Sequence, residues 1–181
     1  MAYFKDLAFC DYHSGMPSEK FKAVGWLARE YAYPTRQTES SDAHFRQLLQ
    51  LLTDPWEPSY FLGWHDCDLC VLEKEQALGA VGFLHRLRPA RHPRYPDDFI
   101  LERYGVEIHF GVSNLYVPGE NCIFLAPSMI AHYIDKHNYD PPAEFWQAVL
   151  NCPEMGSDSY KQALLAKGPS DPRWIRALTA A

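Results

Sequence analysis

Along residues 42–53 the apolar positions recur with the period of a helix. Phe45, Leu48, Leu49 and Leu52 stand at i, i+3, i+4 and i+7, which lays them on one stripe. Ser41 precedes the stripe as a cap, and Asp54-Pro55 ends it. Before it, Ala23-Val24-Gly25-Trp26-Leu27 is a compact apolar run expected as a buried strand. Residues 1–22 have no clear period and are expected to wrap the surface or to add one edge strand. Tyr60 to His65 reads as a strand that delivers the chain into a turn at Cys67 and Cys70. The stretch 71–84 is ambiguous: Val71 to Ala77 suits a helical turn, Ala80 to Leu84 a strand. From His85 to Pro96, Pro89, Pro93 and Pro96 break any element and predict an exposed loop.

The second half of the chain has clearer punctuation. Gly105 to Phe110, Asn114 to Val117 and Cys122 to Leu125 read as three short strands, the last two joined by the turn residues Pro118-Gly119-Glu120-Asn121. Pro127 suits the first turn of a following helix, where its missing N–H costs nothing. Asp140-Pro141-Pro142 should stop that helix and start another, with Asp140 as cap and with Phe145 and Val149 on one side. Ser157 and Gly168 bracket a further helix, and Asp171-Pro172 opens a last one carrying Trp174, Ile175 and Leu178. No repeat or low-complexity segment interrupts this order. The expectation is an α+β fold: a small, mostly antiparallel sheet with helices packed on it and a helical C-terminal part. Residues 1–181 are read as a single domain with an irregular insertion at about 85–104.

Composition narrows the functional classes. A chain of 181 residues with 47% hydrophobic and 22% charged positions is an ordinary globular protein, long enough to bury a core without a metal. Its formal net charge of −6 argues against a general nucleic-acid binder. No apolar run approaches the length of a membrane span, and Met1 to Phe9 lacks the basic and apolar regions of a secretory signal. Five cysteines, an odd number, suit a reducing compartment better than a disulfide framework. A cytoplasmic location is therefore expected.

The candidate chemistry lies in two separated clusters. Cys67 and Cys70 form a C-x2-C pair that a tight turn can aim at one ion, with His65 on the same face if that segment is a strand. After a further 61 residues, His132 and His137 form an H-x4-H pair. Thiolate and imidazole ligands in this number and spacing point to zinc, and the long interval means the two halves must meet through tertiary structure. On a regular helix, residues five apart point about 140° away from each other. His132 and His137 can share an ion only if the helix tightens or ends near His137, and Asn138 and Pro141-Pro142 favour an ending. Alternatively, His65, Cys67 and Cys70 supply three ligands and one of the two later histidines the fourth.

The string Val24-Gly25-Trp26-Leu27, the His65/Cys67/Cys70 segment and the run from Ala126-Pro127 through His132-Tyr133-Ile134, His137-Asn138-Tyr139 and Pro141-Pro142 to Phe145 resemble a family of uncharacterised bacterial proteins. That family carries an H-x-C-x-x-C segment followed by A-P…H-Y-I-x-x-H-x-Y-x-P-P-x-x-F. The resemblance covers about residues 24–150. The chain differs in its longer stretch at about 71–112 and in the helices after 153. It implies that His65, Cys67, Cys70, His132 and His137 belong to one unit, and it implies no activity.

Rival readings stay open. The C-x2-C pair could be two reduced core cysteines, or a redox pair, since a helix N-terminus lowers a thiol pKa; the strand and long helix of a thioredoxin-like unit are not visible around it. An open metal position, with Asp66, Asp68 or Asp135 as base, would suit a metal-dependent hydrolase. Nucleophile-elbow, Walker and H-E-x-x-H patterns are absent, and no proline introduces the cysteine pair as it does in zinc deaminases. The loop with Arg86, Arg88, Arg91 and Arg94 is either a phosphate or nucleic-acid patch, or in a variant a contact for an acidic partner protein, or else a solvated loop balanced by Asp97, Asp98 and Glu102. Tyr133, Tyr139 and Trp146 are expected in the core. The leading expectation is a zinc-stabilised binding or interaction protein with a protein partner, with the hydrolase and the thiol redox protein as alternatives.

Overall fold

The computed structural model describes residues 2–12, 19–36, 42–56, 58, 67–78, 100–111 and 113–179. Its organising element is a strand buried along its whole length. β5 (Ile123–Pro127) has all five residues buried and lies between β1 (Phe21–Ala23) and β4 (Asn114–Pro118). β4 runs antiparallel to it, with Tyr116 opposite Leu125, and β1 runs parallel, with Lys22 opposite Phe124. A separate antiparallel pair joins β2 (Ile100–Arg103) to β3 (Val106–His109), with Leu101 opposite Ile108. The fold is α+β, its main sheet mixed rather than wholly antiparallel.

Six helices occupy the described residues. They are α1 (Asp42–Thr53), α2 (Asp68–Leu78), α3 (Ile130–Lys136), α4 (Ala143–Asn151), α5 (Asp158–Lys167) and α6 (Pro172–Thr179). α1 forms as its stripe predicts: Phe45, Leu48, Leu49 and Leu52 are buried, joined by Leu51. That face packs against α3, α4 and β3. The C-terminal helices close over the sheet through aromatic contacts. Trp174 of α6 meets Phe21 and Trp56 edge-on, and the Tyr160 hydroxyl of α5 donates to the Tyr116 carbonyl at 2.7 Å. Burying a side chain of this size is worth about 1.5–3 kcal/mol, so these contacts tie the C-terminal helices firmly to β1 and β4.

Several expectations are corrected. The strand expected at Ala23–Leu27 lies earlier, at Phe21–Ala23; Gly25 turns the chain at φ +73°, with its N–H on Asp6 Oδ1, and the buried Trp26 indole donates to Leu125 O instead. Pro127 does not start a helix. It ends β5 opposite Asn114, and α3 begins three residues later. Asp140 is not the cap of α4, whose N-cap is Pro142 without a side-chain bond; the Asp140 N–H is held by Pro34 O. Ile175 is exposed, leaving Trp174 and Leu178 as the buried positions of α6. Within the stretch of about 85–104 expected to be irregular, Ile100–Arg103 is a strand, and residues 85–99 lie outside the described residues. The expected Ser41 cap, the strand at Tyr60–His65, the strand at Ala80–Leu84 and the Arg86–Arg94 loop lie outside the described residues. The Ser157 cap of α5 forms, accepting from the Tyr160 N–H, and Asp171 accepts from the Arg173 N–H at the start of α6. Among the described residues, no helix is long and apolar enough to cross a membrane.

Candidate metal centre

The cysteine pair sits at the start of a helix, not on the strand-turn expected. The Cys67 carbonyl accepts from the Val71 N–H, as an N-cap residue's does, and its sulfur accepts from the Cys70 N–H at 3.4 Å. A thiol thus takes the position a serine hydroxyl usually fills. Val71 to Ala77 is helical as one reading of that stretch allowed, within a helix running from Asp68 to Leu78.

The histidine pair is delivered by the end of α3. Ile130, Ala131, Tyr133 and Ile134 are buried and set the rotation of this short helix. His137 leaves helical geometry as its C-cap (φ −110°, ψ 11°), and Asn138 is left-handed at φ +54°. The Tyr133 carbonyl accepts from both the His137 and Tyr139 N–H groups. The segment 34–36 holds this turn in place. Arg36 N–H donates to Asn138 O, Asn138 Nδ2 donates to Arg36 O, and the Arg36 guanidinium donates to the Ile134 carbonyl at the helix end. A cation there also complements the helix dipole. The helix therefore stops where two histidines five apart can turn toward one point.

At that point the ligand atoms of Cys67, Cys70, His132 and His137 all lie within 4.8 Å of one another. His137 Nε2 is 3.2 Å from the sulfurs of both Cys67 and Cys70, and His132 Nε2 is 3.3 Å from Cys70 Sγ. Zn–S bonds of about 2.3 Å and Zn–N bonds of about 2.0–2.1 Å in a tetrahedron place sulfur and nitrogen about 3.5 Å apart. The three sulfur–nitrogen distances need to open by only a few tenths of an ångström to accept such an ion. Cys67 and His137 are buried, while Cys70 and His132 are half-buried. Phe110 packs its ring on His132, 5.1 Å between centroids.

The electrostatics suit a cation. Hydrogen bonding from Cys67, then from His132 and His137, holds the Cys70 thiol well below its ordinary range despite partial burial. The bond to Cys70, together with burial, pushes the Cys67 thiol the other way. Burial lowers His137, but the bond and charge of Cys70 and the Glu73 carboxylate outweigh it and leave its pKa raised. A divalent ion would displace protons from these groups. Two thiolates and two neutral imidazoles would then balance its charge.

Of the residues singled out from sequence, Cys67, Cys70, His132 and His137 are brought together, and His65 lies outside the described residues. No carboxylate belongs to the four-residue cluster. Asp135, considered as a base, pairs instead with Arg103 at 3.1 Å. Tyr133, Tyr139 and Trp146 are core residues, as expected. Sequence reading missed Glu73, whose Oε1 accepts from His137 Nδ1 at 3.0 Å. The available signal was its spacing, three residues beyond Cys70 as Cys70 is beyond Cys67.

The model of a family described as a domain of unknown function (DUF7919) matches residues 2–150, which takes in all four clustered residues. No curated protein and no solved structure matches the chain.

Proposed function

This chain belongs to the DUF7919 family, and we propose that its four clustered side chains hold a zinc ion as a structural tie in a protein that acts as a binding or interaction module. One observation carries the reading: two segments 61 residues apart place four thiol and imidazole ligand atoms within 4.8 Å of one another. Two cysteines and two histidines complete a tetrahedron, so the ion keeps no open position for a substrate and its role is to fasten α2 to the end of α3. Zinc suits the donor set because it accepts mixed sulfur and nitrogen ligands without a redox change. We place the protein in the reducing cytoplasm, where thiolate ligands persist, and we propose a protein partner.

The redox alternative has one observation in its favour, the C-x2-C pair at a helix N-terminus. The two imidazoles within hydrogen-bond reach of the sulfurs favour the metal. Elemental analysis of the purified chain and of Cys67→Ala tests the proposal. One zinc per wild-type chain, with thiols that resist alkylation until chelator is added, is the expected result. Metal-free wild type with freely reactive thiols would return the pair to redox or core chemistry.

A further inference from the structure

We infer that Glu73 is a positioning residue for the metal centre, fixing His137 in the tautomer and ring orientation that offer Nε2 to the ion. The inference rests on the metal reading above and extends it to a residue outside the ligand set. The Glu73 carboxylate oxygen lies 3.0 Å from His137 Nδ1. An ionised carboxylate only accepts, so Nδ1 carries the hydrogen. In the neutral ring the lone pair then sits on Nε2, the atom that stands 3.2 Å from both sulfurs.

Burial makes this bond matter. The His137 side chain is 1% exposed, so water cannot take over the task of orienting its ring. The Glu73 side chain is 58% exposed and keeps much of its hydration while its tip reaches inward. The local cause is helical spacing. Cys67, Cys70 and Glu73 follow one another at three-residue intervals, and side chains three apart share a helix face. One helix therefore supplies two ligands and the group that orients a third. Carboxylate partners of this kind typically account for 10- to 100-fold in metal affinity.

A surface ion pair without this role would act on the metal-free fold and the metal-bound fold alike, which sets the test. Zinc affinity is measured by competition with a chromophoric chelator for wild type, Glu73→Ala and Glu73→Gln. The tautomer of His137 is read from two-bond nitrogen–proton correlations in the zinc-loaded form, and melting is recorded with zinc and in excess chelator. The expected result is a loss of about 10- to 100-fold for Glu73→Ala. Glu73→Gln, whose amide oxygen still accepts the Nδ1–H, should lose less, and wild-type His137 should be protonated at Nδ1. The rise in Tm on adding zinc should be smaller for Glu73→Ala than for wild type, each measured against its own chelated form. Affinity of Glu73→Ala within twofold of wild type, an Nε2-protonated His137 in loaded wild type, or a zinc-induced rise in Tm equal to that of wild type would overturn the inference while leaving the metal site standing. Wild type that binds no zinc would overturn both, and that arm is read before any variant.

Discussion

Loading the centre with zinc should stabilise the protein by an amount that the chain path sets. Bound there, the ion would link Cys70 to His132, 62 positions along the chain (132 − 70). Treated as a cross-link closing a loop of that length, it removes about 14 cal/mol/K of entropy from the unfolded chain, or about 4 kcal/mol. The unfolded chain retains some zinc affinity through its C-x2-C pair, which lowers the benefit to roughly 2–4 kcal/mol. At about 2–4 °C per kcal/mol for a chain of this size, Tm should rise by roughly 5–15 °C. Calorimetry of chelated and zinc-loaded protein measures this directly. His132→Ala should shrink the increment, because the ion would lose a ligand of the α3 segment and hold the cross-link through His137 alone. The effect should also be local. At the first turn of α2, Leu69 and the candidate ligand Cys67 are buried while Val71 is exposed, so the sulfur-bearing residues are a large part of what holds this turn. Hydrogen exchange should accelerate along α2 on chelation while β4 and β5 stay protected. Loaded wild type melting within about 2 °C of the chelated form, or His132→Ala keeping the full increment, would refute the cross-link argument.

Two further perturbations probe the surroundings of the site. A Cβ at Gly25, which is held at φ +73°, would stand 2.8 Å from Ile130 Cγ1, the first residue of α3. Gly25→Ala should therefore cost about 2–4 kcal/mol from left-handed backbone and overpacking together, read by denaturant unfolding, and an unchanged midpoint would contradict this geometry. Burial lifts the Asp6 carboxyl above its ordinary range, against the opposing pull of the Gly25 N–H and the Tyr139 hydroxyl. A raised folded-state pKa contributes stability that is present below the unfolded value and lost as pH rises through the folded one. Asp6→Asn keeps an acceptor for both donors but removes the charge, so its Tm relative to wild type should improve from pH 4 to pH 7. A difference that stays flat or falls over that range would contradict the assignment.

The parts legible in the sequence are those where local chemistry and final packing agree. The α1 stripe, the Ser157 cap and the Asp171-Pro172 start depend on neighbours within a turn or two, and each is found in place. The cysteine–histidine cluster was half legible. Side-chain types and spacing brought His132 and His137 to Cys67 and Cys70, and the need for a helix end at His137 followed from angular geometry. The way Asn138 and Arg36 make that end was not legible, because the Arg36 contacts span about a hundred residues. The helical setting of Cys67 and Cys70 was hidden for another reason. α2 has no apolar stripe to announce it, so periodicity favoured neither helix nor turn there. Pro127 misled because a proline at a strand end and one at a helix start have the same local signature. The parallel pairing of β1 with β5, between residues about a hundred apart, leaves no trace in a local pattern.

X-ray absorption at the zinc edge of the loaded protein reads the ligand shell itself. One ion per chain is expected, with two sulfur neighbours at about 2.3 Å and two imidazole nitrogens at about 2.0–2.1 Å. Cys70→Ser should reduce the sulfur shell by half. A first shell dominated by oxygen, or one that Cys70→Ser leaves unchanged, would contradict the assignment of Cys67, Cys70, His132 and His137 as a closed metal centre.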